Sequence, residues 1–261
     1  MDNYFNFIAI TNNVSHAQAM AEAGVQQIMV DTEILGKVDR QKGKQTVINT
    51  HQISDVALLK GALSNQVKII CRINKYNNKT QQEIEEAGIN GADAIMIPMI
   101  SNMNEYEKIV NNIPESINII PLIETPYSAF KLLDIIQCRK PEQIHFGLND
   151  LFIALGMKNL FEIIFSNLFR CLINEAKEHV PLVGIGGIGN PNTPQKVDPN
   201  LLIKEYVSIG SNSVILSRSF FGENYNKDEI SAGIKKINEV ASKPFTQQQY
   251  IQLKEQIKIL I

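Results

Sequence analysis

Short apolar segments alternate with amphipathic segments along most of the chain. Eight of the apolar segments are predicted to be β-strands, at residues 5–11, 27–33, 68–74, 94–100, 118–124, 143–150, 181–188 and 213–219. Most are almost continuously apolar, and each is bounded by Gly, Asn, Asp or Pro. This pattern is typical of strands that are covered on both faces, as in a parallel sheet.

Helical periodicity appears in the intervening segments, at residues 14–23, 53–63, 80–90, 101–111, 125–136, 160–177, 200–208 and 228–241. Eight strand–helix units in roughly 240 residues match the count and length of a (β/α)₈ (TIM) barrel, an α/β fold. A doubly wound open sheet is the main alternative, but no GxGxxG segment follows the first strand. No Pro/Gly-rich linker divides the chain, so residues 1–261 are predicted to form a single barrel domain with an extra C-terminal helix at 246–261.

The composition is that of an ordinary globular protein, with 44% hydrophobic and 20% charged residues. The net charge is −2 and no stretch is strongly basic, so neither nucleic acid nor a membrane surface is expected as a partner. Three well-separated cysteines (Cys71, Cys138 and Cys171) indicate reduced thiols rather than a disulfide framework. The N-terminal segment lacks the features of a signal peptide, and no apolar run would span a membrane. We therefore expect a cytoplasmic protein.

Two acidic residues 26 positions apart close neighbouring predicted strands. Glu124 follows the apolar run IIPLI, and Asp150 ends IHFGLND. Adjacent parallel strands lie about 4.8 Å apart, so carboxylates at their ends can share one Mg²⁺ or Mn²⁺ ion. Taken alone, Asp150 is equally well interpreted as the N-cap of the following helix.

The barrel mouth is predicted to carry further charged groups, since catalytic residues of such barrels lie at the C-terminal ends of the strands. Strand alternation places Asp31 and Glu33 on one face, and Arg72 and Asn74 on one face. If both faces point inward, a single guanidinium meets four carboxylates. That imbalance is a second argument for a bound cation.

The segments VDTEILGK, RIN, GADAIMIPMI, PLIET and FGLNDLFIALG resemble, in order and spacing, the HpcH/HpaI aldolase and citrate lyase β-subunit family over roughly residues 27–156. Members of that family are metal-dependent carbon–carbon lyases with a phosphoenolpyruvate/pyruvate-type barrel. The resemblance implies that Glu124 and Asp150 bind Mg²⁺ or Mn²⁺ and that Arg72 binds the oxyanion of a pyruvate-like enolate. It also implies that Glu33 and Asp31 hold Arg72 or a metal-bound water.

The function implied is a class II type aldolase that acts on pyruvate or a similar 2-oxo acid together with an aldehyde. Besides Arg72, the substrate site is expected to include Asn74, Pro98 and Thr125. The alternatives are a citrate-lyase-like acyl-CoA lyase and a barrel that only binds metal. The sequence departs from the pattern of the pyruvate aldolases directly after Glu33: that pattern has a histidine at this place, and this chain has Ile34. The general base is therefore left open between Glu33 and metal-bound hydroxide.

Other candidate residues are interpreted as structural. The four histidines lack metal-ligand spacing, so each is interpreted as a surface or core residue: His16, His51, His145 and His179. The glycine-rich segment 184–189 is interpreted as tight packing rather than a phosphate site. The last helix has an apolar side that is predicted to cover the barrel or a neighbouring subunit: Tyr250, Leu253, Ile257, Leu260 and Ile261. With the trimers and hexamers common in the family, this predicts a homo-oligomer.

Overall fold

Eight parallel strands form one closed barrel in the computed structural model, which describes residues 4–35, 50–158, 160–222 and 225–258. The strands are β1 Asn6–Ile10, β2 Gln27–Asp31, β3 Lys68–Arg72, β4 Ala94–Ile97, β5 Asn118–Ile123, β6 Gln143–Phe146, β7 Leu182–Ile188 and β8 Ser213–Leu216. Each strand pairs with the next, and β1 also pairs with β8, which closes the barrel. The predicted (β/α)₈ fold is confirmed.

Helices surround the barrel. They are α1 Val14–Glu22, α2 Asp55–Ala62, α3 Thr80–Ile89, α4 Met103–Asn112, α5 Pro126–Phe130, α6 Leu132–Cys138, α7 Leu148–Ala154, α8 Leu160–Ile164, α9 Asn167–His179, α10 Pro199–Ser208, α11 Arg218–Phe221, α12 Lys227–Ala241 and α13 Gln247–Lys258. Within the described ranges, none is both long and apolar enough to cross a bilayer.

Two of the predicted helices are interrupted. The segment predicted as one helix at 160–177 is α8 followed by α9, because Ser166 caps α9 by accepting a hydrogen bond from the Phe169 N–H. The segment predicted at 125–136 is α5 followed by α6. The short helices α7 and α11 were not predicted at all.

The strands are apolar on both faces because two separate layers cover them. Outward-facing residues such as Ile69 and Ile144 pack beneath the helices. Inward-facing residues, including Met29, Ile70 and Met96, fill the barrel interior. Strand alternation sends successive residues to opposite faces, so the nearly continuous apolar runs follow from burial on both sides.

A chain of polar side chains closes the N-terminal end of the barrel. The Asn6 amide donates to Gln27 (2.9 Å), Gln27 donates to Gln143 (3.0 Å), and Gln143 donates to the Ser213 hydroxyl (3.2 Å). The apolar interior layer lies above these groups, so the barrel is packed and is not a channel. The C-terminal mouth is the end at which charged groups can meet a ligand.

The extra C-terminal helix is confirmed as α13, and it packs on its own barrel. Leu253 and Ile257 are buried in the hydrophobic core, and the Lys204 ammonium donates to Gln249 (2.9 Å). The described part of the predicted apolar side therefore needs no neighbouring subunit to cover it. Leu260 and Ile261 lie outside the described residues. The homo-oligomer stays a prediction.

Candidate active site

Arg72 is held at the barrel mouth by a carboxylate on the adjacent strand. Arg72 and Asp31 are register partners in β3 and β2. The Arg72 Nε donates to Asp31 Oδ1 (2.8 Å), and Nη2 lies 2.7 Å from Oδ2. Glu33, which follows β2, places Oε2 at 3.7 Å from Nε. Because two parallel contacts join the guanidinium to Asp31, its plane is fixed as well as its charge.

The Arg72 guanidinium stays charged despite its surroundings. Burial acts to lower its pKa, but the carboxylates of Asp31, Glu33 and Glu124 together with the Asp31 hydrogen bond raise it above the ordinary arginine value. Asp31 and Glu33 are themselves only 1% and 2% exposed. The arrangement thus presents a permanent, well-oriented positive charge to the mouth.

Glu124 lies directly after β5 with its side chain buried. Its Oε1 accepts a hydrogen bond from the Met99 backbone N–H (2.8 Å). Met99 has a φ of 50°, a left-handed conformation unusual for a residue other than glycine. Burial, together with the neighbouring carboxylates of Glu33 and Asp150, raises the pKa of Glu124 to about 8, against the opposing effects of Arg72 and the Met99 N–H.

Gly147 makes room for this carboxyl group. A Cβ at position 147 would lie 2.7 Å from the Glu124 Cβ and 2.8 Å from its Oε2. Any larger residue there would displace the Glu124 side chain, since such approaches are sterically forbidden to real Cβ atoms.

The prediction that Asp150 ends a strand is wrong, although its side chain reaches the same site. Strand β6 ends at Phe146, and Asp150 lies in the first turn of α7. It is not the N-cap of that helix either, because Gly147 holds that position. Asp150 is half-buried and lines a cavity together with Glu33, Arg72 and Glu124.

This mouth cavity has a volume of about 590 Å³. One wall carries the charged residues just described, and its floor is formed by Ile10, Leu122 and Ile215, with His145 beside them. The opposite wall comes from the glycine-rich end of β7 and from the residues after β8. The cavity is large enough for a small organic acid and a second small reactant.

The donor set of the mouth suits a hard divalent cation. Glu124 is a buried carboxyl group whose pKa is raised by burial and by neighbouring carboxylates, so a cation bound there would relieve that repulsion. Among the described residues, three ligand atoms come within 4.8 Å of one another at Glu175, Glu178 and His179 of α9, and not at the mouth. Any ion at Glu124 and Asp150 would therefore need water or substrate oxygens as further ligands.

Three predicted substrate-binding residues lie outside the lining of the cavity. Asn74 accepts hydrogen bonds from the N–H groups of Ile34 (2.8 Å) and the next residue, which ties down the loop after β2. The Thr125 hydroxyl donates to the Ile100 carbonyl (2.5 Å) and caps α5. Pro98 precedes Met99 in the loop after β4. The substrate contacts of these three residues stay a prediction; in the structure, Asn74 and Thr125 make the structural hydrogen bonds just given.

His145 lines the mouth cavity, although its sequence spacing indicates only an ordinary surface or core residue. His145 is 1% exposed and borders the mouth cavity. Within the described residues, neither ring nitrogen makes a hydrogen bond of normal distance and angle. Burial and the Arg72 charge lower its pKa to about 3 against a smaller, opposing hydrogen-bond contribution of the Ile185 backbone, so the ring is uncharged.

One sequence signal, strand alternation, could have pointed to His145, and the structure adds a second observation. It stands two residues after Gln143, so alternation places it on the inward face of β6. Its register partner on β7 is Gly184, where a Cβ would lie 2.0 Å from Nδ1 of the ring. The glycine-rich segment therefore serves packing at this position, as its sequence pattern indicated.

No protein-family model matches the chain, and no curated protein matches it. The fold is shared with solved structures. One is described as an HpcH/HpaI aldolase from Desulfitobacterium hafniense DCB-2; it has a TM-score of 0.58 and 15% sequence identity, and the match covers 82% of this chain and 86% of that chain. At this level of identity the likeness shows a common fold with an aldolase structure.

Proposed function

We propose that this protein is a metal-dependent carbon–carbon lyase that cleaves or forms an aldol bond of pyruvate or a similar small 2-oxo acid. The observation that carries the proposal is the Arg72 guanidinium, fixed by Asp31 and facing the buried carboxyl group of Glu124 across one mouth cavity. The fold shared with an aldolase structure and the family resemblance of the mouth segments support the same chemistry.

Arg72 would stabilise the charge that develops in the reaction. Breaking the aldol bond of a 2-oxo acid leaves an enolate, whose oxyanion needs a fixed positive group. Asp31 contacts Nε and Nη2 of the guanidinium, which leaves the two N–H groups of Nη1 and the second N–H of Nη2 for that oxygen. Lysine would serve less well here because it lacks the planar fork.

Glu124 and Asp150 would hold the Mg²⁺ or Mn²⁺ ion, which when bound supplies Lewis-acid stabilisation of the same oxygen. The Met99 N–H fixes one Glu124 oxygen, and Gly147 lies against the other. Both contacts orient the carboxylate before any ligand arrives, as supporting groups around metal ligands do.

The direct test is exchange of the pyruvate methyl protons in D₂O, followed by NMR in the presence of Mg²⁺ or Mn²⁺. The wild-type protein should catalyse the exchange, because enolate formation is the half-reaction for which the site is built. The Arg72→Lys variant should be slower by about 10²-fold, the scale for loss of one oxyanion donor.

Arg139→Lys is the matched control. Arg139 donates to the backbone carbonyls of Ile113 (2.8 Å) and Ile117 (2.8 Å), away from the mouth. This variant should lose stability and keep its exchange rate. If the folded wild-type protein exchanges acetyl-CoA protons instead of pyruvate protons, or neither, the proposed 2-oxo acid lyase is wrong.

A further inference from the structure

The imidazole of His145 lies at the floor of the mouth cavity. Its two nitrogens are buried, and among the described residues they make no hydrogen bond of normal geometry, the Ile185 backbone contributing only a small effect. Its neighbours in the floor are the aliphatic side chains of Ile10, Leu122 and Ile215. Buried polar groups are nearly always paired in folded proteins, so a ring without normal hydrogen bonds beside a cavity points to a ligand.

The surrounding structure reserves a place for this ring. Gly184 is the register partner of His145 on β7, and a Cβ there would lie 2.0 Å from Nδ1 and 2.7 Å from Cε1. The His145 ring therefore occupies space that is open only because residue 184 has no side chain. His145 also lines the mouth cavity, so the ring lies between Gly184 and the space in which a ligand would bind.

The ring suits an uncharged oxygen better than a carboxylate. At the mouth, the carboxylate and the 2-oxo group of a substrate already find Arg72 and the ion expected at Glu124. An uncharged imidazole offers one N–H donor and one acceptor, which complement an aldehyde oxygen or a hydroxyl group. In an aldol reaction, the carbon that bears this second oxygen is the one that joins the enolate.

We propose that His145 is a catalytic residue that donates a hydrogen bond to the oxygen of the aldehyde reactant, which is the hydroxyl oxygen of the aldol product. This inference rests on the proposed lyase function and assigns the second half of the substrate to the cavity floor. In bond formation, the enolate carbon bonds to the aldehyde carbon as the C=O π bond breaks; the His145 N–H stabilises the charge that moves onto the oxygen, and a proton from water completes the hydroxyl group. In cleavage, the hydroxyl proton returns to water, the carbon–carbon bond breaks with its electron pair forming the enolate, and the N–H holds the oxygen that becomes the aldehyde oxygen.

The proposal predicts that two activities of the protein respond differently to the loss of the His145 side chain. Exchange of pyruvate methyl protons needs only the enolate half of the site, whereas joining pyruvate to an aldehyde needs His145 as well. His145→Leu should therefore exchange pyruvate protons within about threefold of the wild-type rate. Joining pyruvate to the best of formaldehyde, acetaldehyde and glycolaldehyde should slow by about 10²-fold. His145→Gln, which retains an N–H donor, should lose less.

A stability measurement distinguishes this role from a structural one. His145→Leu replaces by carbon two buried nitrogens that make no normal hydrogen bond among the described residues, so its melting temperature should equal or exceed that of the wild-type protein. The matched control is His179→Gln, since His179 lies at the exposed end of α9. It should change neither activity nor melting temperature.

Three outcomes would overturn the role of His145. They are a parallel loss of exchange and joining in His145→Leu, a lower melting temperature of that variant, and a wild-type protein that exchanges pyruvate protons but joins none of the three aldehydes. A wild-type protein that does not exchange pyruvate protons would instead contradict the proposed lyase function.

Discussion

Replacing Glu124 by glutamine should stabilise the metal-free protein at alkaline pH and remove its response to metal. Glutamine keeps the size of the side chain and an oxygen that can accept the Met99 N–H, but it carries no charge. The variant therefore isolates the cost of ionising one carboxyl group that is buried beside Glu33 and Asp150.

The size and sign of the effect follow from the raised pKa. A shift from 4.5 to about 8 corresponds to at most about 5 kcal/mol at 1.36 kcal/mol per unit. Between these two values the folded protein binds more protons at Glu124 than the unfolded chain does. The free energy of unfolding therefore falls as pH rises from about 4.5 to about 8 and then levels off. The Glu124→Gln variant has no carboxyl group to ionise at this position, so its free energy of unfolding does not fall in this way.

The assay is urea unfolding of both proteins in a chelator, at several pH values across this window. The stability of Glu124→Gln relative to the wild type should rise with pH by a few kcal/mol. Adding Mg²⁺ at about pH 8 should then stabilise the wild-type protein, by about 2.7 kcal/mol at 100 times the dissociation constant, and should leave the variant unchanged.

Glu142→Gln is the control, because Glu142 is exposed at the opposite end of the barrel and pairs with Asn118 and Lys68. Its stability should follow that of the wild type within about 0.5 kcal/mol at every pH. A pH-independent difference between Glu124→Gln and wild type would show that the buried carboxyl group is not held protonated. Equal stabilisation of both proteins by Mg²⁺ would rule out Glu124 as a ligand.

Further predictions concern the anchor of Arg72, the space at Gly184 and the assembly. Asp31→Asn should slow pyruvate proton exchange at least about tenfold, since Arg72 loses its charged two-point partner, and an unchanged rate would contradict this role. Gly184→Ala should cost about 1–3 kcal/mol in urea unfolding, and most of that cost should vanish in a His145→Ala background; additive losses would contradict the packing argument. Light scattering of the full-length protein at micromolar concentration should give a trimer or hexamer, and a monomer would exclude the predicted homo-oligomer.

The barrel could be predicted from the sequence because its strands are buried on both faces. Continuous apolar runs at regular spacing are typical of parallel sheets covered by helices, and eight strand–helix units match the closed (β/α)₈ barrel. Alternation also placed Asp31 and Glu33 on one strand face, and Arg72 and Asn74 on another; the structure shows that Asp31 and Arg72 are register partners at the barrel mouth. These predictions depend on local periodicity alone.

The remaining features of the site depended on contacts between segments distant in the chain. The sequence could not show that Asp150 lies in a helix, because LND suits a strand end and a helix start equally. Nor could it show that Asn74 is engaged by the loop after β2. The importance of His145 depends on tertiary contacts, because Gly184 lies against its ring and, among the described residues, its nitrogens make no hydrogen bond of normal geometry. Periodicity determines the face on which a side chain lies, whereas its partners, its burial and its pKa are set by residues that only tertiary packing brings near.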